Sequence, residues 1–391
     1  MSEPHGVAAF RNHLPVRISF GDNTSHQLRE LLAGLAATRA LLIIDAGLVG
    51  FSPAVADTVS MLQGGDITLS IHEKPAGEPT IEMVDSAREA VLRTRPDAII
   101  ALGGGSVIDT AKAARLCAQL GTDFRGFLAS DRHYPEPTIP LFALPTTAGT
   151  GSEVSGGAVI IDQQGGTKSG IASPLLRAQY AIVDPVLTYT TPAATTAFAG
   201  VDALAQAIAA TIAQARTPIG DGVAFEAIRH ISRSLVSAYR DGSNAKARSD
   251  MACGSMMAGL AMNISDCTAE HAMGQAIGGM FHAAHGLTVG LVLVEVLQRE
   301  AAVVPEQLDR VADAMQAPAG PTDGSRAVLA VQRILAELEF PVLSSLGVSS
   351  DHVDELSQLA MDDFFITQAP APWTFDEVRN AFESALALEH R

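Results

Sequence analysis

Short apolar runs alternate with helix-length amphipathic segments through the first half of the chain. The runs "ALLIIDAG" (40–47), "DITLSI" (66–71), "DAIIALGGG" (97–105) and "PLFALPTT" (140–147) read as strands, separated by helical patterns near 52–63, 80–94 and 106–120. Strand, helix, strand in series needs crossovers that cover both faces of a sheet, so a parallel sheet is expected. Near 157–172, "GAVIIDQQGGTKSGIA" breaks the alternation with a Gly-Gly turn between two extended runs, and a hairpin fits there.

After "YAIVDP" (180–185) the texture changes. Ala-rich and amphipathic segments at 193–214, 219–240, 244–262, 325–338 and 374–388 follow one another between short Gly, Pro or Asp stops. The pattern predicts an α/β N-terminal domain with a parallel sheet, residues 1–192, followed by an all-helical C-terminal domain, residues 193–391. No repeat or linker-like run separates them, so the halves are expected to pack around one cleft.

Composition narrows the picture. The 391 residues carry 26 basic and 43 acidic side chains, a formal charge of -17, with no Lys/Arg run to follow a phosphate backbone. Nucleic acid is therefore not an expected partner. "PAATTAFAGVDALAQAIAATIAQA" (192–215) is long enough to span a bilayer, but Ala, Thr and Gln dominate it and Asp202 sits in its middle with no aromatic belt at either end. It reads as a buried core helix and not as a membrane span, and a buried Asp202 then needs a partner. Cys117, Cys253 and Cys267 are scattered, and "MSEPHGVAAF" has neither a basic nor an apolar leader region. A reduced, cytoplasmic protein is expected.

Two loops carry candidate chemistry. "IIALGGGSVIDTAKAARL" puts Gly103, Gly104, Gly105 and Ser106 between a strand and a helix, where bare backbone amides can approach a phosphate, although a tight turn capped by Ser106 fits the same residues. "PTTAGTGSEVS" (145–155) ends another strand and adds the hydroxyls of Thr146, Thr147, Thr150 and Ser152. Two such loops suggest a long ligand with several polar anchors. Neither is a Walker motif, and G-x-G-x-x-G is absent. Asp45, closing "LLIID", precedes the glycines; it can accept ribose hydroxyls or cap the turn that follows it. In the second half, "NISDCTAEHAMGQAIGGMFHAAHG" (263–286) sets three histidines and two acids among Ala, Gly, Met and Phe, residues that favour burial.

Taken together, "GGGSVIDTAK", "PTTAGTGSEVS", "VDALAQAI" and the "H...FHAAHG" run resemble the iron-containing (group III) alcohol dehydrogenase family, in this order and over nearly the whole chain. The resemblance implies an N-terminal dinucleotide-binding domain, a helical metal and substrate domain, NAD(P) in the cleft, and often a homodimer. Gly103 to Ser106 would hold the pyrophosphate, Thr146 and Thr147 would line the cofactor, and Lys168 would lie by the nicotinamide ribose. Asp45 corresponds to the acid that accepts ribose hydroxyls and repels a 2'-phosphate, so NAD(H) is expected over NADP(H). Asp202, His271 and His285 fall on ligand positions for one divalent metal, Fe(II) or Zn(II).

Two positions depart from that pattern. Gln206 stands where a histidine is expected, and Gln275 stands four residues after His271, where many members carry a further histidine. Each amide shares a helix face with a ligand. Gln206 can offer only a carbonyl oxygen, so weak metal retention is expected, and Gln275 cannot titrate, which leaves water, a ribose hydroxyl or His282 for proton exit. The expected activity is NAD(H)-dependent, metal-assisted hydride transfer between a small alcohol and its aldehyde or ketone. A metal-independent reductase resembling maleylacetate reductase, or an inactive dinucleotide-binding protein, are the alternative readings.

Overall fold

The computed structural model describes residues 9–162 and 167–388, without the side chains of 167–169. Among the described residues eight strands are present: β1 (Arg17–Phe20), β2 (Arg39–Asp45), β3 (Thr68–Lys74), β4 (Ala98–Gly103), β5 (Leu141–Pro145), β6 (Gly157–Asp162), β7 (Thr167–Ala172) and β8 (Tyr180–Val183). Six form one sheet in the order β1-β8-β5-β4-β2-β3, and every pairing in it is parallel. β6 and β7 form the expected antiparallel hairpin, whose Gly-Gly turn lies outside the described residues.

Helices α1 (Leu28–Gly34), α2 (Leu48–Phe51), α3 (Pro53–Gln63), α4 (Ile81–Thr94), α5 (Gly105–Leu120) and α6 (Phe124–Leu128) punctuate the sheet. The period-two alternation of β2 divides it between two cores. Leu42 and Ile44 pack with Leu28, Val55 and Val59 on one face; Leu41 and Ile43 pack with Ala87, Val91 and Ile108 on the other. Burial on both faces is why these strands read as continuous apolar runs. β3 differs because it is an edge. It runs three residues past the apolar stretch, through His72, Glu73 and Lys74, since register with β2 carries it to the Asp45–Lys74 pair. β1, the other edge, gave no apolar signal: its Arg17, Ile18 and Phe20 are exposed.

From residue 193 onward the described chain is helical: α7 (Ala193–Ile212), α8 (Pro218–Arg240), α9 (Ala245–Ser265), α10 (Ala269–Phe281), α11 (His285–Ala301), α12 (Pro305–Ala314), α13 (Ser325–Glu337), α14 (Val353–Met361) and α15 (Phe375–Leu386), with short 3-10 turns between some of them. Starts are set by side-chain caps: Thr217 bonds Gly220 N with Pro218 in the first turn, Asn244 bonds Ala247 N, and Thr374 and Glu377 make a capping box. α7 is long and apolar enough to cross a membrane, yet 83% of its apolar window is buried inside the bundle. It is a core helix.

The helical half touches the sheet through the loop after β5. Gly151 has a left-handed φ of +61° and lies against the backbone of Gly259 in α9, where a β-carbon would overlap the Gly259 Cα. Gly151→Ala should therefore combine backbone strain with overlap and lower stability by at least about 2 kcal/mol. Urea unfolding checks this, and an unchanged midpoint would sink it.

Candidate active site

In the sheet, β3 and β4 lie on opposite sides of β2, so the chain order reverses between β2 and β4. In open parallel sheets a crevice opens beyond the carboxyl ends of the strands at such a point. Asp45 closes β2 there, and Gly103 closes β4.

Gly104 is the N-cap of α5 and offers no side-chain cap, which leaves first-turn amides of α5 without a side-chain acceptor. A β-carbon at Gly104 would meet only Thr147, at 3.5 Å, so the space before the helix is open; a phosphate there would meet amides and the helix dipole. Gly103 and Gly105 are glycines for packing instead. A β-carbon would press on Val107 at 2.5 Å in the first case and on Thr150 at 2.6 Å in the second. Thr146 is buried, bonded through its backbone to Gly103 and Thr191, while Thr147 and Thr150 remain partly accessible.

Ser152 does not face the open side. Its hydroxyl donates to Asp109 and accepts from Lys112 Nζ at 2.9 Å, and Lys112 goes on to Ser155 and the Gly157 carbonyl. The Ser152 hydroxyl is thereby engaged within the protein: a wholly buried lysine needs acceptors, and Ser152 supplies one while clamping the second loop to α5. Neither Asp109 nor Lys112 was identified from sequence, although both sit inside the quoted "GGGSVIDTAK". The side chain of Lys168 lies outside the described residues.

Asp45 has a partner the sequence did not suggest. Lys74 Nζ, fully buried, bonds Asp45 Oδ1 at 3.0 Å and the carbonyls of Pro75 and Gly77 at 2.8 Å each. Three acceptors use all three ammonium protons. Burial raises the pKa of Asp45, and Lys74 works against that rise.

The helical half brings three predicted residues together. Asp202 stands in the middle of α7, His271 in the first turn of α10 and His285 at the start of α11. Asp202 Oδ1 is 3.5 Å from His271 Nε2 and 3.7 Å from His285 Nε2, with the two rings 5.4 Å apart. Burial opposes ionisation of Asp202, but His285, His271 and Gln206 outweigh it and hold its pKa below the usual value. Gly286 makes the approach possible: a β-carbon there would overlap the Phe198 carbonyl of α7 and crowd Asp202.

These residues fit a divalent cation. Asp202 Oδ1, His271 Nε2 and Gln206 Oε1 are buried polar atoms with no hydrogen-bond partner, a costly arrangement for a core unless something else bonds them. Bonds of about 2.1 Å in a tetrahedral site place neighbouring ligand atoms roughly 3.4 Å apart, close to the observed separations. Gln206 Nε2 donates to Asp202 Oδ2 at 3.0 Å, so the amide orients the carboxylate and leaves its own oxygen over. Gln275 is half-buried one turn beyond His271. His282 is not in the cluster. It is exposed and takes the left-handed C-cap of α10, φ 53°, where the chain must leave one helix for the next.

An open helix start at the carboxyl end of a parallel sheet, suited to a phosphate, and an Asp–His cluster suited to a divalent cation are the two features expected of a metal-assisted oxidoreductase. Residues 15–185 match the model for iron-containing alcohol dehydrogenase, and residues 196–386 match that for the C-terminal part of the Fe-containing alcohol dehydrogenase family. The choline dehydrogenase of Bacillus subtilis is 34% identical over 95% of this chain and 92% of its own. An NAD-dependent methanol dehydrogenase of Bacillus methanolicus is 28% identical over 95% and 99%. The crystal structure of a 1,3-propanediol oxidoreductase superposes with a TM-score of 0.92 at 29% identity, covering 97% of this chain and all of that one. The chain belongs to the iron-containing alcohol dehydrogenase family. It is an oxidoreductase of alcohols and aldehydes, in a family whose members are named for their iron.

Gly104→Val fills the open space before α5 while leaving both cores untouched. NADH titration should show binding weakened by at least about 100-fold, 2.7 kcal/mol, with the far-UV spectrum preserved; unchanged affinity would remove the loop from the cofactor site.

Proposed function

We propose that the protein interconverts a primary alcohol and its aldehyde, with NAD(H) held over residues 1–192 and one divalent metal, Fe(II) or Zn(II), held by residues 193–391. The observation that carries this reading is the convergence of Asp202 Oδ1, His271 Nε2 and His285 Nε2, the first two buried and without a hydrogen-bond partner. Relatives named for choline, methanol, 1,3-propanediol and long-chain alcohols support an alcohol as substrate and leave its chain length open. The Phe365 ring, 5.8 Å from His271, supports an apolar wall beside it.

Asp202, His271 and His285 would hold the cation, with Gln206 Oε1 within the same buried cluster. The metal would supply polarisation of the substrate oxygen and the nicotinamide would supply hydride exchange. The chain's own part is orientation and dryness: α5 amides and Thr147 fix the dinucleotide, Asp45 accepts ribose hydroxyls, and apolar walls exclude water. Gln275 carries no titratable proton and His282 is exposed, so proton exit runs by solvent or by a ribose hydroxyl.

NAD(H) preference rests on Asp45. Since Lys74 is saturated by Asp45 and two carbonyls, it has no proton free for a 2'-phosphate. Asp45→Gly frees one, so the ratio of kcat/KM for NADH over NADPH should fall by at least about 10-fold, or 1.4 kcal/mol. Parent values already equal for both cofactors would refute the preference.

A homodimer is consistent with the open, exposed edge at β1. Three free thiols suit the reducing cytoplasm, and the -17 charge and the burial of α7 argue against nucleic-acid or membrane partners.

The metal reading is tested at Gln206. Gln206→His adds an imidazole and should tighten metal by about 10 to 100-fold, the range seen when a site's surroundings change. His271→Ala should lose metal and aldehyde reduction together. Metal content and NADH oxidation over an aldehyde panel, after identical chelation, decide it: full turnover without metal in both the parent and His271→Ala would overturn the metal mechanism.

A further inference from the structure

Glu270 is adjacent to His271 in sequence and almost wholly buried, 2% exposed. Its Oε1 accepts from His271 Nδ1 at 2.8 Å. The same carboxylate folds back onto the start of α10, accepting from Thr268 N at 3.1 Å and from the Thr268 hydroxyl. Among the described residues, the only basic group bonded to it is His271. A buried carboxylate without Lys or Arg is a poor stabilising device, because desolvation of the charge is compensated only by neutral donors and an imidazole. What it does accomplish is definite. An ionised carboxylate only accepts, so the proton of the neutral imidazole lies on Nδ1 and Nε2 presents its lone pair toward Asp202 Oδ1, 3.5 Å away.

We propose that Glu270 is a positioning residue of the metal site: through His271 Nδ1 it sets the tautomer and ring orientation, and it strengthens Nε2 as a donor. This rests on the metal reading given above. The charge balance agrees with it. Gln206 is neutral where a fourth strong ligand would stand, and Asp202 with Glu270 supplies two negative charges for a dication flanked by neutral imidazoles. The site compensates for a weak ligand at its front by a charged acceptor behind His271.

The test uses the full chain and Co(II) as probe, since its visible absorption reports the ligand field. Dissociation constants come from competition with a chromophoric chelator, and NADH binding reports an intact fold. Glu270→Gln keeps the shape and one acceptor oxygen but removes the charge. It should weaken Co(II) by about 10 to 100-fold and shift the visible bands while leaving NADH affinity unchanged. Glu270→Asp, which keeps the charge at shorter reach, should recover affinity relative to Glu270→Gln, and it serves as the test variant should Glu270→Gln fail to bind NADH. A Glu270→Gln protein that binds NADH normally and matches the parent in both Co(II) affinity and spectrum overturns the proposal, and so does a Glu270→Asp protein that binds Co(II) no better than Glu270→Gln. His271→Ala separates this from failure of the underlying reading: if the parent takes up no Co(II), or His271→Ala takes up as much as the parent, the metal site itself is wrong and Glu270 falls with it.

Discussion

The structure turns on one carboxylate placed where a carboxylate is expensive. Asp202 lies in the middle of α7, 1% exposed, in a helix whose neighbours on either side are Ala, Val and Leu. No Lys or Arg is bonded to it among the described residues. Gln206 Nε2 donates to one of its oxygens, and the other lies 3.5 Å from His271 Nε2 and 3.7 Å from His285 Nε2, so three helices must meet closely at this point. The Ala-rich texture of α7 and the glycines at 274, 286 and 290 follow from that requirement. Each of those glycines faces a neighbour that a β-carbon would overlap: Val289, the Phe198 carbonyl, and Phe340. Small residues draw α7, α10 and α11 together, and close approach brings the ligand atoms into one cluster.

The sheet half obeys a different constraint. Parallel strands deliver their carboxyl ends to one edge, and the reversal of order at β2 and β4 opens that edge between Asp45 and Gly103. The second loop there, and the segment leading into β8, are braced from α5. Lys112 ties α5 to Ser152 and Ser155, and Arg115, also buried, donates to the carbonyls of Leu175, Leu176 and Arg177. Burial lowers the pKa of both cations. A loop that must present bare amides to a phosphate has little side chain of its own to hold it, so rigidity comes from groups behind it.

Much of this was legible in the chain itself. Strands buried on both faces announce themselves as "LLIID" and "AIIALGGG", and the hairpin by its Gly-Gly turn, because burial dictates composition directly. Polar residues stranded in apolar helices are costly without a task, which marked Asp202 and the histidine-rich stretch, but only the family resemblance picked out Asp202, His271 and His285 as one set. Edges were not legible, since β1 and the end of β3 carry exposed or polar residues that only pairing identifies. Partners across long loops were hidden too. Lys74 is 29 residues from Asp45, and the clamp on Ser152 comes from 40 residues away. His282, three residues before His285 in sequence, stands apart from the cluster because the left-handed turn between α10 and α11 separates them.

Glu270 shows how the two halves of this reasoning join. In sequence it is one of two acids in a histidine-rich stretch, with no periodicity to mark it, and next to His271 it would ordinarily point about 100° away around the helix. It does not, because it stands in the first turn of α10, where Thr268 donates from its amide and its hydroxyl and draws the carboxylate back over the helix start. The helix terminus, which favours an anion anyway, thus becomes the means of aiming an imidazole. The same carboxylate answers two needs at once: it accepts from the otherwise unbonded start of the helix, and it fixes which nitrogen of His271 faces Asp202.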